Sequence, residues 1–190
     1  VKFEVLLIDD GSHEDITHRF ERLEDRRLRI IKHNENKGLA YRLNEAVTLS
    51  QGRYIARMDQ DDISSPNRLQ VQYDYLQENP AVDLVASRCV TINENDELMG
   101  KLKYVPLGVS ISSRPWQGFY FPHPTWMGKA SWFKANPYAQ PDPYRCQDQE
   151  LMLRTYRESI FVVIPQYLLA YRKESQKSYS SNSLKTASAV

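Results

Sequence analysis

A chain of 190 residues fits one domain, or one domain with a small annex, and is long enough to bury a sizeable core. Its composition, 41% hydrophobic and 26% charged, is typical of a soluble globular protein. The formal net charge of +1 excludes a whole-molecule field that would attract nucleic acid, so no nucleic-acid partner is expected.

The first 92 residues alternate predicted strands with predicted helices. Residues 3–8 read FEVLLI, a nearly continuous apolar run that is typical of a strand buried on both faces of a parallel sheet. The patterns that follow predict, in order, a helix over residues 15–26, a strand over 28–31, a helix over 38–50, a strand over 53–58, a helix over 65–77 and a strand over 82–91. Alternation at this spacing predicts a doubly wound α/β sheet with helices on both faces.

After residue 92 the alternation stops. The patterns there predict a turn over residues 93–96 between two strands, an aromatic-rich irregular segment over 106–124, a helix over 147–157 and two strands over 161–164 and 167–171. From Ser175 onward the chain is rich in serine and poor in apolar residues, which predicts a mobile tail.

Two aspartates follow the first predicted strand. Asp9 and Asp10 are succeeded by Gly11, which permits a tight turn, and by Ser12. Ligands of open α/β sheets bind outside the carboxyl ends of strands, where such a pair can hold a ribose or the edge of a base by hydrogen bonds. A plain Asp-Gly turn in which Ser12 caps the next helix explains these residues equally well.

Three carboxylates occupy four positions after the third predicted strand. Asp59, Asp61 and Asp62 repel one another, which raises their proton affinity unless a cation is present. A divalent ion would relieve the repulsion, because hard cations prefer oxygen ligands and substrate phosphates, and it would neutralise a diphosphate leaving group. An acidic surface loop before Pro66 is the alternative, which the expected position at the same sheet edge as Asp10 disfavours.

The two cysteines indicate the redox state of the compartment in which the protein is found. Cys89 and Cys146 are far apart and form neither a CxxC pair nor a zinc-binding spacing. We expect two free thiols in a reducing cytoplasm. No apolar run approaches the roughly 20 residues that span a bilayer, and no secretory signal pattern opens the chain. These patterns predict a cytoplasmic protein that does not cross the membrane.

Seven stretches together resemble the inverting glycosyltransferases of family 2, which have the GT-A fold. They are IDDGS (8–12), NENKGLAYRLNEAV (34–47), GRYIARMDQDD (52–62), SSPNRLQVQ (64–72), NPAVDLVAS (79–87), HPTWMGKASW (123–132) and QDQELMLR (147–154). They occur in the family's order and cover most of residues 4–172. The resemblance implies a GT-A-type, Rossmann-like mixed sheet. We divide the chain into a donor-binding half over residues 1–92, an acceptor-binding and catalytic half of the same domain over 93–174, and the tail over 175–190.

The resemblance implies roles on the donor side. Asp10, or its neighbour Asp9, would contact the uracil or ribose of a nucleotide, and Lys37–Gly38 would lie near it. Asp59 and Asp61 match the family's Asp-X-Asp motif, and would hold ribose and a Mn²⁺ or Mg²⁺ ion bound to the diphosphate. The expected donor is a nucleoside-diphosphate sugar, with a UDP-sugar favoured.

On the acceptor side, Asp148 matches the second residue of the family's Glu-Asp motif, the general base of an inverting displacement. Judged from the residues alone, a carboxylate at the start of a helix is more often a capping or helix-dipole feature. Gln147 stands where the family usually has Glu, so one carboxylate is lost. His123 and Trp116 are weaker acceptor-site candidates, because a lone histidine between prolines is more often structural and tryptophans pack in cores as readily as on sugars.

The resemblance also implies a biological setting. Relatives usually make cell-surface polysaccharides or lipid-linked glycans, which implies a saccharide or lipid-linked acceptor and peripheral contact with the inner face of the membrane. Residues 1–12 resemble the family's second strand, so the first strand is expected to lie outside this sequence. A fragment without that strand is expected to be inactive or to fill the gap by association.

Three other classes share parts of the pattern. A response-regulator receiver domain also has an acidic pair after one strand and an acceptor aspartate after a later one, but it needs a single carboxylate at Asp59 and a lysine after a further strand. A nucleotidyltransferase usually carries a glycine-rich, basic loop after its first strand, a segment that this sequence does not include. A non-catalytic nucleotide-sugar-binding module descended from a transferase also fits.

Overall fold

The structure, a computed structural model, describes residues 1–13, 20, 23–104, 118–141 and 146–173. Its strands are β1 (Val5–Asp9), β2 (Leu28–Lys32), β3 (Tyr54–Ala56), β4 (Ile63–Ser64), β5 (Leu84–Ile92), β6 (Leu98–Lys101), β7 (Met127–Lys129) and β8 (Phe161–Arg172). Its helices are α1 (Leu39–Leu49), α2 (Arg68–Glu78), α3 (Ala130–Ala135) and α4 (Gln147–Thr155), with a 3₁₀ turn over His123–Thr125. The predicted tail, Trp116 and most of the helix predicted over residues 15–26 lie outside the described residues.

The described strands form two sheets. β1 and β2 pair in parallel as a two-stranded sheet. The larger sheet has six strands in the order β3-β7-β5-β8-β4, with β6 paired to β5. Within it the described β5–β8 pair is parallel, and the other pairs are antiparallel. The prediction of an α/β fold with a mixed sheet is confirmed.

β5 and β8 form the centre of the larger sheet. The extent of β8 differs from the prediction. The sequence predicted two strands on either side of Pro165, whereas β8 continues from Phe161 to Arg172. Proline has no amide hydrogen to donate to a neighbouring strand. The pairing with β5 moves from Ile164 directly to Tyr167, so the two residues between them are left out of the register. The proline therefore causes an irregularity in the strand and does not end it.

The described helices occur where the apolar periodicity predicts them. α1 and α4 begin within one residue of their predicted starts. α2 begins at Arg68, three residues later than predicted, because the N–H of Ser65 still pairs with the carbonyl of Leu168 in β8 at 2.9 Å. In the described ranges, no helix is both long and apolar enough to cross a membrane.

The largest hydrophobic cluster is rich in aromatic side chains. Trp126 is fully buried, and its indole N–H donates to the carbonyl of Phe121 at 3.1 Å. Trp132 is also buried, and its indole N–H donates to the hydroxyl of Ser159 at 2.9 Å. Both rings pack in the core with their polar atom satisfied, so neither is available to stack on a sugar.

A buried polar network fixes the end of β3, where the acidic motif begins. Arg68 is 1% exposed and donates to the side-chain oxygen of Gln72 at 3.0 Å and to the carbonyl of Arg57. Gln72 in turn donates to the carbonyl of Thr125 at 2.6 Å. Burial lowers the pKa of Arg68 to about 10, which still leaves it charged. Because buried charges are tolerated only with such partners, the network holds this backbone in one arrangement.

Candidate functional site

The turn after β1 carries the first pair of predicted site residues. Asp9 is 2% exposed, and its carboxylate accepts a hydrogen bond of 2.8 Å from the N–H of Ser12. Gly11 has φ +81°, and a Cβ there would lie 3.1 Å from the backbone nitrogen of Asn36. Only glycine fits this turn without strain. Asp9 closes the turn from inside, and Asp10 is the aspartate that reaches the surface.

Asp10 holds the backbone that begins α1. Its carboxylate accepts hydrogen bonds from the N–H groups of Lys37 at 2.9 Å and Gly38 at 2.8 Å, and from Nε of Arg42 at 2.6 Å. Gly38 has φ 86° and ψ 160°, a conformation that is essentially restricted to glycine. Partial burial raises the pKa of Asp10, but the donated hydrogen bonds and the Arg42 charge outweigh it and hold the pKa below 3.8. Asp10 is therefore ionised at neutral pH.

A cleft of about 340 Å³ opens beside these residues. Its lining is mostly polar and comes from the loop after β2 and from α1: His33, Asn34, Glu35, Lys37, Tyr41, Arg42 and Glu45. Arg42 is fixed there by Glu45 at 3.0 Å and by the carbonyl of Glu35 at 2.8 Å. The structure thus brings Asp10, Lys37 and Gly38 together, and Lys37 also lines the cleft.

The acidic motif after β3 forms a compact cluster. One carboxylate oxygen from each of Asp59, Asp61 and Asp62 lies within 4.8 Å of the others. Asp59 is partly exposed and paired with the buried guanidinium of Arg57, at 2.7 Å for one of its two contacts. Asp61 is exposed, whereas Asp62 is 7% exposed. Burial, reinforced by the charges of Asp59 and Asp61, raises the pKa of Asp62 to about 6.

The cluster fits a divalent cation. Ligand oxygens of Mg²⁺ lie about 2.0–2.1 Å from the ion and those of larger cations up to about 2.6 Å, so oxygens separated by up to about 5 Å can share one ion. Oδ2 of Asp62 is buried and has no hydrogen-bond partner among the described residues. A divalent cation bound to this oxygen would offset the burial and the like charges that raise the pKa of Asp62. Sequence reasoning placed Asp62 beside the metal ligands, whereas its geometry makes it a third candidate ligand.

Arg172, the last residue of β8, links the acidic loop, residues 59–62, to the turn over residues 93–96 by hydrogen bonds. Its N–H donates to Asp62 at 2.9 Å, and Nε donates to the carbonyl of Asp61 at 2.8 Å. The same guanidinium donates to the carbonyl of Asn93 at 2.6 Å and to the carboxylate of Asp96 at 2.5 Å. The loop that carries the candidate metal ligands is therefore held by a strand end more than a hundred residues away in the chain.

Asp148 lies in the first turn of α4, as predicted, and is partly exposed. Burial is the main cause that raises the pKa of Tyr138, and the negative charges of Asp148 and Asp59 raise it further. Both carboxylates therefore lie within electrostatic reach of the same buried hydroxyl, although they come from different parts of the chain.

His123, a predicted acceptor residue, is buried beneath this region. It is 7% exposed, its Nε2 lies 2.8 Å from the hydroxyl of Tyr138, and its ring centre lies 4.5 Å from that of Trp126. Burial, with a smaller contribution from Arg57, lowers the pKa of His123 well below 6.5, so the ring is neutral. In this position His123 supports Tyr138 and presents almost no surface to an acceptor.

Asp10 and the acidic cluster belong to different sheets, and α1 links their surroundings. Asn44 of α1 exchanges two hydrogen bonds with the backbone of Tyr138, at 2.9 and 2.8 Å. Within the described part of the chain, the ion pair and the hydrogen bonds of Asp10 go to the start of α1. The expected convergence of Asp10 with Asp61 around one ligand stays a prediction.

The solved structures that resemble this fold define its class. TarS 1–349 of S. aureus in complex with UDP-GlcNAc matches with a TM-score of 0.71 at 17% identity, over 94% of this chain and 52% of that chain. The complex of the same protein with UDP gives 0.71 at 16% identity, over 94% of this chain and 53% of that chain. The fold is GT-A, as the resemblance implied.

Residues 1–137 match the family model described as glycosyl transferase family 2, and the chain belongs to that family. The O-antigen biosynthesis glycosyltransferase WbnJ of Escherichia coli is 33% identical in an alignment of 188 positions that covers 93% of this chain and 71% of that protein. An uncharacterized glycosyltransferase of Methanocaldococcus jannaschii is 28% identical in an alignment of 186 positions that covers 93% of this chain and 62% of that protein. The chain thus spans less than two thirds of the length of this second relative. Family membership excludes the receiver-domain alternative.

Proposed function

We propose that this chain carries the donor-binding and catalytic part of a glycosyltransferase that moves one sugar from a nucleoside-diphosphate donor to an acceptor hydroxyl, with inversion. The observation that carries the proposal is the three-carboxylate cluster within 4.8 Å at the end of β3. Its oxygens suit a hard divalent cation, which a diphosphate also binds. The membership in family 2 and the GT-A fold support the same chemistry.

Asp61, Asp59 and Asp62 would hold Mn²⁺ or Mg²⁺. When bound, such an ion neutralises the charge that develops on the diphosphate as it leaves. Arg57 donates to both oxygens of Asp59, so Asp61 and the unpaired Oδ2 of Asp62 are better placed to meet the ion. Arg172 keeps the two neighbouring aspartates at a fixed separation through bonds to the Asp61 carbonyl and the Asp62 carboxylate.

The donor nucleotide would bind beside the start of α1. Asp10 is ionised and still partly exposed, with a side-chain exposure of 21%, so it can accept a further hydrogen bond from a base or ribose. Lys37 is 40% exposed, and its Nζ, which lies 3.5 Å from the carboxylate of Glu35, adds a positive charge on the same loop. A UDP-sugar is favoured, and the TarS complexes with UDP-GlcNAc and UDP support that choice.

Asp148 would act as the general base. Its carboxylate takes the proton from the acceptor hydroxyl, whose oxygen forms a bond to the anomeric carbon while the bond from that carbon to the diphosphate oxygen breaks. The leaving diphosphate keeps the electron pair, and the single displacement inverts the configuration. The partial exposure of Asp148 allows an acceptor to reach it.

Thermal unfolding tests the donor site. Free UDP with Mn²⁺ is expected to raise the melting temperature above the effect of either alone, because a ligand that binds only the folded state stabilises it. Asp61→Asn should abolish that joint effect. Asp74→Asn, which removes an exposed carboxylate from α2, is the matched control and should behave like the parent chain. The proposal is contradicted if Asp61→Asn keeps the joint stabilisation, or if UDP with Mn²⁺ does not stabilise the parent chain.

Asp148→Asn separates a transferase from a binding module. The variant should keep the joint stabilisation by UDP and Mn²⁺ and lose sugar transfer in an assay of UDP release with a saccharide acceptor. Binding without any transfer in the parent chain would favour a non-catalytic module. The surface-glycan role named for WbnJ makes a saccharide or lipid-linked glycan the first acceptor to supply. A lipid-linked acceptor would bring the protein to the inner face of the membrane.

A further inference from the structure

Three positive side chains on one side of β5, β6 and β8 have no negative partner among the residues that the structure describes. Arg88 lies on β5, Lys101 ends β6, and Lys103 follows two residues later. Within the described residues none of the three makes an ion pair, whereas Arg57 and Arg172 elsewhere each contact a carboxylate.

Each of these cations instead lies over a tyrosine ring. The guanidinium carbon of Arg88 lies 4.1 Å from the ring centre of Tyr167 and 4.7 Å from that of Tyr104. Lys101 Nζ lies 5.4 Å from the Tyr167 ring centre. The whole group, named here the basic–tyrosine face, comprises Arg88, Lys101, Lys103, Tyr104, Tyr120 and Tyr167.

Strand pairing gives the face its geometry. Arg88 is opposite Tyr167 in the β5–β8 register, and Val90, two residues along β5, is opposite Lys101 in β6. Residues two apart on a strand point to the same side, so Arg88 and Lys101 share one side of the sheet. Lys103 continues this row, and its Nζ donates to the hydroxyl of Tyr120 at 3.0 Å.

The accessible atoms of the face suit a charged sugar. Lys101 and Lys103 are exposed, and Tyr120 is 41% exposed. A tyrosine ring offers a flat apolar surface with a hydroxyl at its edge, which matches the apolar face and the hydroxyl groups of a pyranose. The lysines add strongly hydrated point charges that attract carboxylate or phosphate groups.

We propose that the basic–tyrosine face binds the extended, anionic part of a saccharide acceptor, a glycan that carries carboxylate or phosphate groups. The inference rests on the proposed glycosyltransferase function and names its acceptor class. β8 leads from Tyr167 to Arg172, which holds the acidic loop. The five residue steps from Tyr167 to Arg172 correspond to about 16 Å. Lys101 is level with Ala170, two residues before Arg172, and is separated from β8 by β5. The face therefore holds sugar units remote from the reacting hydroxyl, where binding energy can position the acceptor.

Binding of a fluorescent tetragalacturonate, measured by anisotropy, tests the proposal. Maltotetraose, a neutral chain of the same length, is the comparison ligand. We expect tetragalacturonate to bind and maltotetraose to bind much more weakly, and 1 M NaCl to weaken the former. The double variant Lys101→Gln/Lys103→Gln should bind tetragalacturonate roughly tenfold more weakly, as expected for the loss of two partly exposed ion pairs.

The matched control is Lys2→Gln/Lys134→Gln, which removes two exposed lysines elsewhere and changes the net charge equally. Equal losses of affinity for tetragalacturonate in both double variants would show that overall charge causes the effect, and would overturn the proposal. Binding of phosphatidylglycerol vesicles through Lys101 and Lys103, without tetragalacturonate binding, would also overturn it and assign the face to lipid. Stabilisation by UDP with Mn²⁺ is measured on the same samples. If it persists while the oligosaccharide fails to bind, this inference fails and the proposed function stands.

Discussion

Replacing Asp62 by asparagine isolates the charge that the acidic cluster must accommodate. The shape of the side chain is nearly unchanged, and its Oδ1 can still accept the hydrogen bond of 2.9 Å from the N–H of Arg172. What the substitution removes is a negative charge on a side chain that is only 7% exposed and lies next to two other carboxylates. The metal-free protein should therefore respond to pH differently with and without Asp62.

The magnitude follows from the pKa of Asp62, which is about 6 in the folded protein against an ordinary value of 3.8. The folded state holds this proton more tightly than the unfolded chain. Asp62 therefore adds stability below about pH 4, and the contribution is lost as the pH rises through 6. The full contribution of Asp62 to the free energy of unfolding is about 3 kcal/mol, and about 2 kcal/mol of it is gained when the pH is lowered from 7.5 to 4.5. Asparagine does not titrate and has no such dependence.

Urea unfolding in the presence of EDTA, at pH 7.5 and pH 4.5, provides the assay. Lowering the pH should stabilise the parent chain relative to Asp62→Asn by about 2 kcal/mol in the free energy of unfolding. Asp74→Asn, at an exposed position, should follow the parent chain. Adding Mn²⁺ at pH 7.5 should stabilise the parent chain more than the Asp62 variant. Identical pH dependence in the two proteins would refute the reasoning that Asp62 is buried with an unneutralised charge.

Three further predictions concern other positions. Arg172→Gln should weaken Mn²⁺ binding roughly tenfold in a titration followed by electron paramagnetic resonance, because three guanidinium bonds that hold the acidic loop and its neighbouring turn are lost. Gly128→Ala should lower the free energy of unfolding in urea by about 1–3 kcal/mol, because a Cβ there would lie 2.5 Å from the side chain of Leu84. Gly100→Ala is the control and should be nearly neutral, because the nearest atom to a Cβ there lies 3.8 Å away. A thiol reagent should modify the exposed Cys146 in the native protein and spare the buried Cys89 until urea is added. Burial raises the pKa of the Cys89 thiol to about 12, which keeps it in the unreactive thiol form. Mass spectrometry locates the label.

The elements that could be predicted from the sequence are those whose residues carry their own local signal. The continuous apolar run of β1 and the helical spacing of α1 are such signals, and both elements lie within two residues of the expected bounds. The acidic cluster was also predictable, because Asp59, Asp61 and Asp62 are so close in the chain that one loop must bring them together. Local spacing carries this information without any knowledge of the tertiary fold.

Features that depend on distant contacts could not be predicted in the same way. β7 and α3 have three and six residues, too few for a period, and the close approach of β7 to β5 requires Gly128, where a Cβ would lie 2.5 Å from the side chain of Leu84. Nothing in the local pattern shows that Arg68 is buried, since a charged residue in the first turn of a helix is usually exposed. His123 was a weak acceptor candidate by its neighbours and is instead enclosed by Tyr138 and Trp126.

β8 relates the acidic loop to the basic–tyrosine face. Its middle carries Tyr167, and its last residue, Arg172, bonds the backbone of Asp61 and the carboxylate of Asp62. β8 pairs with β5 from Phe161 to Arg172, and β5 also carries Arg88. The distance between the two regions is therefore set by backbone hydrogen bonds of a central strand pair, which are among the last to open in a folded domain. An acceptor that reaches from one to the other would meet a fixed separation, so the length of its charged part should matter as much as its charge.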